Sequence, residues 1–233
     1  MYSIKSRIVR SSIAMTSGGI CTLNSSTTRA PRTVAAIGSL EIVEAARKFS
    51  GSFITKHNRA GKGLGVRLFR DVDSVQDYVL GPEFQTPIDG ITLVQECIES
   101  PQPYITRVEF VGGKFLYAVR VDTSEGFELC PADVCSTQGI TQPRFSIIQN
   151  FRHPIIVRYE RFLKANDIHI AGIEFIIDKY GQLFTYDVNT NTNYNSEAEQ
   201  AIGLSGMTAI SRYLGNELTY VTNTHFGVLQ TSS

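Results

Sequence analysis

Apolar residues recur with two different periods along this chain, and the change between them predicts helices interspersed with short strands. In segment 39–49, apolar residues such as Ile42 and Phe49 recur at helical spacing, and Ser39 is placed to cap this helix. We expect Gly215 to end the last helix. Antiparallel hairpins separated by helices predict an α+β fold. Helices are predicted at 39–49, 72–80, 154–166 and 206–215, and strands at 52–57, 66–70, 91–98, 104–111, 114–121 and in a hairpin that begins at 172.

One predicted hairpin turns at Gly112-Gly113, a pair typical of two-residue turns. With such a turn, Arg107 and Arg120 become diagonal neighbours on one face of the hairpin, and Glu109 shares that face. Two guanidinium groups this close repel each other unless an anion lies between them, and a phosphate or acyl phosphate suits their forked donors. The alternative interpretation is a solvated sheet face on which Glu109 is the partner of the arginines.

A second hairpin carries three oxygen-bearing side chains. If its loop has four residues, 178–181, Glu174 and Asp187 lie on one face as diagonal neighbours, and Asn189 follows on the same face. Two carboxylates and an amide oxygen are ligands that Mg²⁺ takes in proteins. The prediction depends on the loop length, because a three-residue loop would turn Asp187 to the other face. An ordinary polar face is the alternative interpretation.

A glycine-rich loop, NRAGKGLG (58–65), follows Lys56 at the end of a predicted strand. Glycines allow backbone amides to approach a phosphate without interference from a Cβ atom. The loop is not a Walker A motif, because no Ser or Thr follows Lys62. Taken alone, this glycine pattern is more typical of a flexible turn.

In their order along the chain, FITKHNRAGKGLGV, LVQECI, ITRVEF and GIEF with YDVNTN resemble the ATP-grasp superfamily. The most similar branch is the carboxylate–amine ligases that include the ribosomal-protein glutamate ligases and glutathione synthetases. The resemblance extends from about Pro31 to Gly215. It implies an ATP-grasp fold in which two α+β lobes with antiparallel sheets grip ATP between them. The implied division is a leader over 1–32, a small lobe over 33–93, a large lobe over 94–215 and a C-terminal tail over 216–233.

The resemblance also implies an activity and a set of site residues. The activity is ATP- and Mg²⁺-dependent ligation of a carboxylate to an amine, with a small molecule or peptide as the acid and an acyl phosphate as the intermediate. An amino acid such as glutamate is one candidate substrate. The implied residues are Lys56, Lys62, Gly63 and Gly65 at the phosphates, Gln95, Glu96, Cys97 and Ile98 at the adenine, Glu99 at the ribose, Arg107 and Arg120 at the transferred phosphoryl group, and Glu174, Asp187 and Asn189 as ligands of Mg²⁺ or Mn²⁺.

Three departures from the family pattern keep other functions open. The leader is too short to supply the N-terminal domain that these ligases usually carry. Glu128 and Cys130 stand where related glutamate ligases place Arg and Asn, and Ile105 stands where a ribose-binding Asp is expected. A non-catalytic ATP-binding protein derived from such a ligase and a small-molecule kinase of the same fold are therefore alternatives.

The amino-acid composition limits the classes of partner and the location expected for this chain. The 22 basic and 22 acidic residues balance, which argues against nucleic acid or an anionic membrane surface as a partner. No apolar run approaches the roughly 18–20 residues needed to span a bilayer. Four cysteines in 233 residues are too few for a disulfide scaffold, and reduced thiols predict a cytoplasmic location. The first forty residues are basic and rich in Ser and Thr, which resembles a transit peptide weakly; a poorly structured leader is the preferred interpretation.

Overall fold

The computed structural model describes residues 29–59, 65–124 and 144–230. Its helices and strands form a mixed α+β structure with two antiparallel sheets, as predicted. The elements are β1 (Thr33–Ile37), α1 (Gly38–Ala46), β2 (Phe53–His57), β3 (Arg67–Phe69), α2 (Val72–Leu80), β4 (Ile91–Glu96), β5 (Tyr104–Val111), β6 (Lys114–Asp122), β7 (Phe145–Ile148), α3 (Ile155–Ala165), β8 (Ile170–Ile177), β9 (Leu183–Asn189), α4 (Ser196–Gln200) and α5 (Gly206–Gln230).

The first sheet has the strand order β1-β4-β2-β3. Helices α1 and α2 cover one face of it, where Ile42 and Val75 pack into a core with Phe53 and Val94. Successive side chains of a strand point to opposite faces, so Lys56 of β2 lies on the face away from this core. The first sheet therefore presents a cation on its uncovered side.

The second sheet has the order β7-β6-β5-β8-β9. Helix α3 covers one face, where Tyr159 and Leu163 pack with Val108 and Ile173, all of them completely buried. The residues that alternate with these core positions therefore project from the opposite face. This opposite face carries the charged residues of β5, β8 and β9.

A β-bulge at Leu116 displaces the register of the hairpin formed by β5 and β6. Arg107 lies opposite Val119, and Arg120 lies opposite Thr106. Adjacent positions of a strand face opposite sides, so the two arginines project from opposite faces of the sheet. The prediction that they share a face is wrong, because the two-residue turn was assumed to continue into an unbroken ladder.

In the hairpin formed by β8 and β9, Asp187 lies on the predicted face, but the loop length and the strand register differ from the prediction. Ile177 pairs with Leu183, so the loop is 178–182 rather than 178–181. One extra loop residue alone would turn Asp187 away from Glu174. A bulge at Tyr186 reverses this displacement, and Glu174 lies directly opposite Asp187 in the ladder.

The ends of several helices differ from the predictions. Helix α5 continues through Gly215, which is not among the glycines with positive φ, so Gly215 is no C-cap and residues 216–230 of the predicted tail are helical. The hydroxyl of Ser39 donates to the carbonyl of Val79 instead of capping α1. Strands β1 and β7 and helix α4 were not predicted.

The division into two lobes stays a prediction. The segment between the two sheets runs from 97 to 103, and the predicted boundary at 93/94 falls within β4. Of the predicted leader, residues 1–28 lie outside the described residues, and Arg29 bridges to Phe184 at the edge of β9. None of the described helices combines the length and the apolar character that crossing a membrane requires.

Glu199 joins the second sheet to the start of α5, and we expect its loss to destabilise the fold. Its Oε1 accepts hydrogen bonds from the hydroxyl of Tyr117 at 2.5 Å and from the backbone N–H of Gly206 at 2.7 Å, and all three residues are buried. Glu199→Ala leaves both donors unpaired and should lower the free energy of unfolding by about 1–3 kcal/mol in urea titrations. The control is Glu197→Ala, an exposed site on the same helix; equal losses would contradict the prediction.

Candidate functional site

The face of the first sheet away from α1 and α2 meets the face of the second sheet away from α3 at a cluster of charged side chains. Lys56 Nζ lies 4.0 Å from Asp187 Oδ1 and donates a hydrogen bond to the carbonyl of Tyr186 at 3.4 Å. The side chains of Lys56 and Asp187 are only 12% and 24% exposed. This contact joins β2 of the first sheet to β9 of the second. We refer to Lys56, Arg107, Glu109, Glu174 and Asp187 together as the charged cluster.

Arg107 lies between two carboxylates of this cluster. Its Nε is 2.6 Å from Glu109 Oε1, whereas its Nη1 is 3.7 Å from Glu174 Oε1. The Thr192 hydroxyl lies 3.0 and 2.8 Å from the two carboxylate oxygens of Glu109, and Arg107 Nη2 donates to the same hydroxyl. Glu109 is only 2% exposed. The structure therefore supports the interpretation in which Glu109 is the internal partner of the arginine.

Burial sets the electrostatics of the cluster. It raises the pKa of Asp187 to about 7, repulsion from Glu174 adds to the rise, and the positive charges of Lys56 and Arg107 oppose it. Burial also raises the pKa of Glu109, against the opposing effects of Arg107 and Thr192. When all members are ionised, three carboxylates face two cations, so the cluster has one negative charge in excess.

Glu174, Asp187 and Asn189 bring to one face of the hairpin oxygen atoms of the kind that bind divalent cations. Glu174 and Asp187 are cross-strand neighbours, and Asn189 lies on the same face, opposite Gly172. The side-chain oxygen of Asn189 accepts a hydrogen bond from the N–H of Asn191 at 2.8 Å and keeps a second lone pair. Lys56 and Arg107 already place positive charge beside these carboxylates.

No cluster of three or more His, Cys, Asp or Glu side chains arranged for a metal occurs in residues 29–59, 65–124 and 144–230. Two carboxylates with one amide oxygen suit Mg²⁺ in particular, since this ion usually keeps several waters and is shared with substrate phosphates.

The absence of a side chain at Gly172 leaves room for the contact between Arg107 and Glu109. A Cβ atom on Gly172 would lie 2.6 Å from Arg107 Nε, closer than real contacts allow, and 3.0 Å from Glu109 Oε2, tighter than most real contacts. A glycine inside a strand often indicates such a close approach, so this signal was available in the sequence. Thr192 carried no comparable signal, because it lies in the chain that follows β9 and reaches the cluster only through the tertiary fold.

Only part of the predicted phosphate loop can be described. Gly65 has a positive φ of 74°, and a Cβ atom there would lie 3.2 Å from the ring of His57. Lys62 and Gly63 lie outside the described residues. The departures from the family pattern at Glu128 and Cys130 lie outside them as well.

The predicted adenine segment, Gln95 to Ile98, begins in the last two residues of β4 and continues into the chain that follows. The side-chain amide of Gln95 is buried and donates to Thr33 Oγ1 at 2.8 Å. The backbone N–H groups of Glu96 and Cys97 donate to the carbonyls of residues 32 and 52. These two amides are therefore used within the first sheet, and the next amide along the chain is that of Ile98.

Two other predicted residues lie away from the charged cluster. The guanidinium group of Arg120 stacks over the ring of Tyr104 at 4.2 Å on the opposite face of the second sheet. Glu99 is exposed, and its carboxylate lies 3.4 Å from the ammonium group of Lys179 in the β8–β9 loop. Neither contact brings these residues to the carboxylates of β8 and β9.

Two surface cavities lie apart from the cluster. One, of about 370 Å³, is lined by residues of β3 and α2 such as Arg67 and Tyr78. The other, of about 290 Å³, lies between β6 and the start of α5 and is lined by residues such as Leu116 and Arg212. The cluster is thus a site between sheets and not part of either cavity.

No protein-family model and no curated protein matches this sequence. Solved structures do match the fold. D-cycloserine synthetase DcsG has a TM-score of 0.62 and 11% identity over 82% of this chain and 65% of that one. The ATP-grasp ligase PsnB in complex with a minimal precursor has a TM-score of 0.54 and 12% identity over 82% of this chain and 55% of that one. The chain has the ATP-grasp fold.

A further ATP-grasp structure, a RimK-domain protein from Sphaerobacter thermophilus, has a TM-score of 0.51 and 15% identity over 80% of this chain and 60% of that one. The chain spans 55–65% of the length of these three proteins. At these identities the similarity establishes the ATP-grasp fold, which confirms the predicted fold. The roles of individual residues stay proposals.

We expect Gly172→Ala to disrupt the charged cluster. The added methyl group would displace Arg107 and Glu109 from each other, and both are too buried to move into solvent. The substitution should lower the free energy of unfolding by about 1–3 kcal/mol in chemical denaturation. Gly51→Ala is the control, since a Cβ atom there meets nothing within 4 Å. A Gly172→Ala variant as stable as the control would contradict the packing described.

The raised pKa of Asp187 predicts a pH-dependent stability of the metal-free protein. Because the folded pKa of about 7 lies above the ordinary 3.8, ionisation of this group opposes folding. Its contribution to stability is therefore present below about pH 4, declines as the pH rises to about 7 and stays absent above that. In EDTA, Asp187→Asn should raise the melting temperature at about pH 8 more than at about pH 5. An equal effect at both pH values would contradict the assignment.

Proposed function

We propose that this chain is an ATP- and Mg²⁺-dependent ligase that joins a carboxylate to an amine through an acyl phosphate. The observation that carries the proposal is the contact between Lys56 of one sheet and the Glu174–Asp187 pair of the other. This contact places a flexible cation and two carboxylates at the junction of two sheets that have the ATP-grasp arrangement. The solved proteins with this fold include ATP-grasp ligases.

The charges of the cluster support a phosphate-binding role. Lys56 is held by a 4.0 Å ion contact and one 3.4 Å hydrogen bond, both weak enough to be exchanged for a phosphate oxygen. Glu174, Asp187 and Asn189 would hold Mg²⁺, which when bound neutralises charge on the transferred phosphoryl group. The excess of one negative charge in the cluster favours uptake of a cation together with the nucleotide.

The remaining nucleotide contacts are assigned from the geometry of β4 and the loop after β2. We assign the adenine edge to the backbone of Ile98, because the amides of Glu96 and Cys97 donate within the first sheet. Gly65, with its positive φ, marks the end of the loop that would cover the phosphates.

Positioning and charge stabilisation account for the chemistry in this proposal. A carboxylate is a poor electrophile, and transfer of the γ-phosphoryl group of ATP converts it to an acyl phosphate that an amine can attack. Lys56 would orient the phosphates during this step, and Arg107 would contribute positive charge from beneath the carboxylates. No side-chain nucleophile is needed. The acid and the amine can be small molecules or peptides.

One observation favours a second candidate, a protein that binds ATP without turnover. Arg107 is already neutralised by Glu109 at 2.6 Å, and Arg120 lies on the opposite face of the sheet. Neither predicted arginine is therefore free to contact a transferred phosphoryl group in this conformation. Nucleotide binding depends less on these arginines than phosphoryl transfer does, because Lys56 and the carboxylates suffice for the phosphates and the cation.

We expect Lys56→Met to weaken ATP binding roughly tenfold or more, equivalent to about 1.4 kcal/mol per tenfold, while leaving adenosine binding unchanged. Calorimetric titration of ATP and adenosine, each with Mg²⁺, measures both affinities. Lys164→Met, which removes an exposed lysine at the end of α3, is the matched control. Equal weakening of ATP and adenosine would show that Lys56 does not contact phosphate.

Release of ADP separates the two candidate functions. A ligase releases ADP only when a carboxylate and an amine are both present, so omission of either should abolish the release. ATP binding with no ADP release across a broad panel of acids and amines would support the binding protein. Absence of any nucleotide binding would contradict both.

A further inference from the structure

The cross-strand partner of Arg107 is not the residue that it contacts most closely. Arg107 of β5 lies directly opposite Glu174 of β8, a position in which opposite charges usually interact. Its guanidinium group is nevertheless 3.7 Å from Glu174 and only 2.6 Å from Glu109, two residues further along its own strand. The guanidinium group thus makes its closest contact with Glu109 and only a longer ion contact with the carboxylate that its register supplies.

Gly172 provides the space for this closest contact. Gly172 lies opposite Glu109 in the β5–β8 ladder, and any side chain there would overlap Arg107 Nε. Thr192 then stabilises the contact between Arg107 and Glu109, because its hydroxyl bonds to both Glu109 oxygens and to Arg107. Two features of the chain, the missing side chain at Gly172 and the hydroxyl of Thr192, therefore hold Arg107 against Glu109.

Burying a carboxylate as completely as that of Glu109 is costly unless it is paired, and here Arg107 and Thr192 are its partners. We propose that Glu109 is a positioning residue that keeps Arg107 closer to itself than to Glu174, at 2.6 Å against 3.7 Å, and so leaves the Glu174 carboxylate available to a divalent cation. The inference rests on the cation site of the proposed function. Without Glu109, the nearest anion to the guanidinium group of Arg107 is Glu174, and the arginine would compete with the cation for the same oxygens.

The test uses Mn²⁺ alone as the probe, with the full chain and with free Mn²⁺ measured by electron paramagnetic resonance. Glu109→Gln should weaken Mn²⁺ binding roughly tenfold or more, as is usual for residues that orient a metal ligand. Removal of the competing arginine from this variant, in Arg107→Met/Glu109→Gln, should restore an affinity close to that of the wild type. A purely structural role of Glu109 predicts no such recovery.

The control is Glu160→Gln, which removes a carboxylate that contacts Lys114 and the N–H of Phe115 at the far end of the hairpin. It should bind Mn²⁺ like the wild type. The inference is overturned if Glu109→Gln binds Mn²⁺ like the control, or if the double variant binds as weakly as Glu109→Gln. Absence of Mn²⁺ binding by the wild type would instead overturn the cation site of the proposed function, and the inference with it.

A second comparison covers the case in which Glu109→Gln does not fold. Arg107→Met/Glu109→Leu replaces the buried ion pair by apolar side chains, an exchange that proteins often tolerate, and keeps the net charge of the cluster. It should bind Mn²⁺ at least as tightly as the wild type, because Glu174 then has no competitor. Weaker binding would mean that Arg107 itself supports Glu174, and the inference would fail.

Discussion

The site depends on the contact of Lys56 with Asp187, since this ion pair joins the two sheets at the charged cluster. Two carboxylates opposite each other on one ribbon repel, and burial raises the pKa of Asp187 further, which makes its ionisation more difficult. Positive charge must therefore approach them from outside the ribbon. The first sheet supplies Lys56 and the neighbouring strand supplies Arg107, so both sheets contribute positive charge to the cluster.

Two β-bulges decide which side chains belong to the site. The bulge at Leu116 separates Arg120 from Arg107, and the bulge at Tyr186 brings Asp187 back opposite Glu174. Each bulge adds one residue to one strand and so exchanges the two faces for every residue beyond it. Two irregularities of one residue each in the backbone thus decide which side chains lie in the site.

The elements with strong periodicity could be predicted from the sequence, and those that depend on neighbours could not. Gly112 and Gly113 both have positive φ, as the predicted two-residue turn requires, and the helices at α2 and α3 follow their apolar periodicity closely. Strands β1 and β7 were missed because each is short and gains its stability by pairing with a longer strand, β4 or β6. The end of α5 was misplaced because a glycine in an open helical position is only mildly unfavourable.

The sequence alone determined the α+β class and the presence of Glu174, Asp187 and Asn189 within one hairpin, because apolar periodicity and turn residues act locally. The ATP-grasp fold was predicted from the resemblance of ordered motifs to that superfamily. Tertiary structure alone decided that Arg107 is neutralised by Glu109 and that Arg120 lies elsewhere. The reason is physical: a pattern of period two cannot reveal a bulge, and the charge of a buried group depends on neighbours that are distant in the chain.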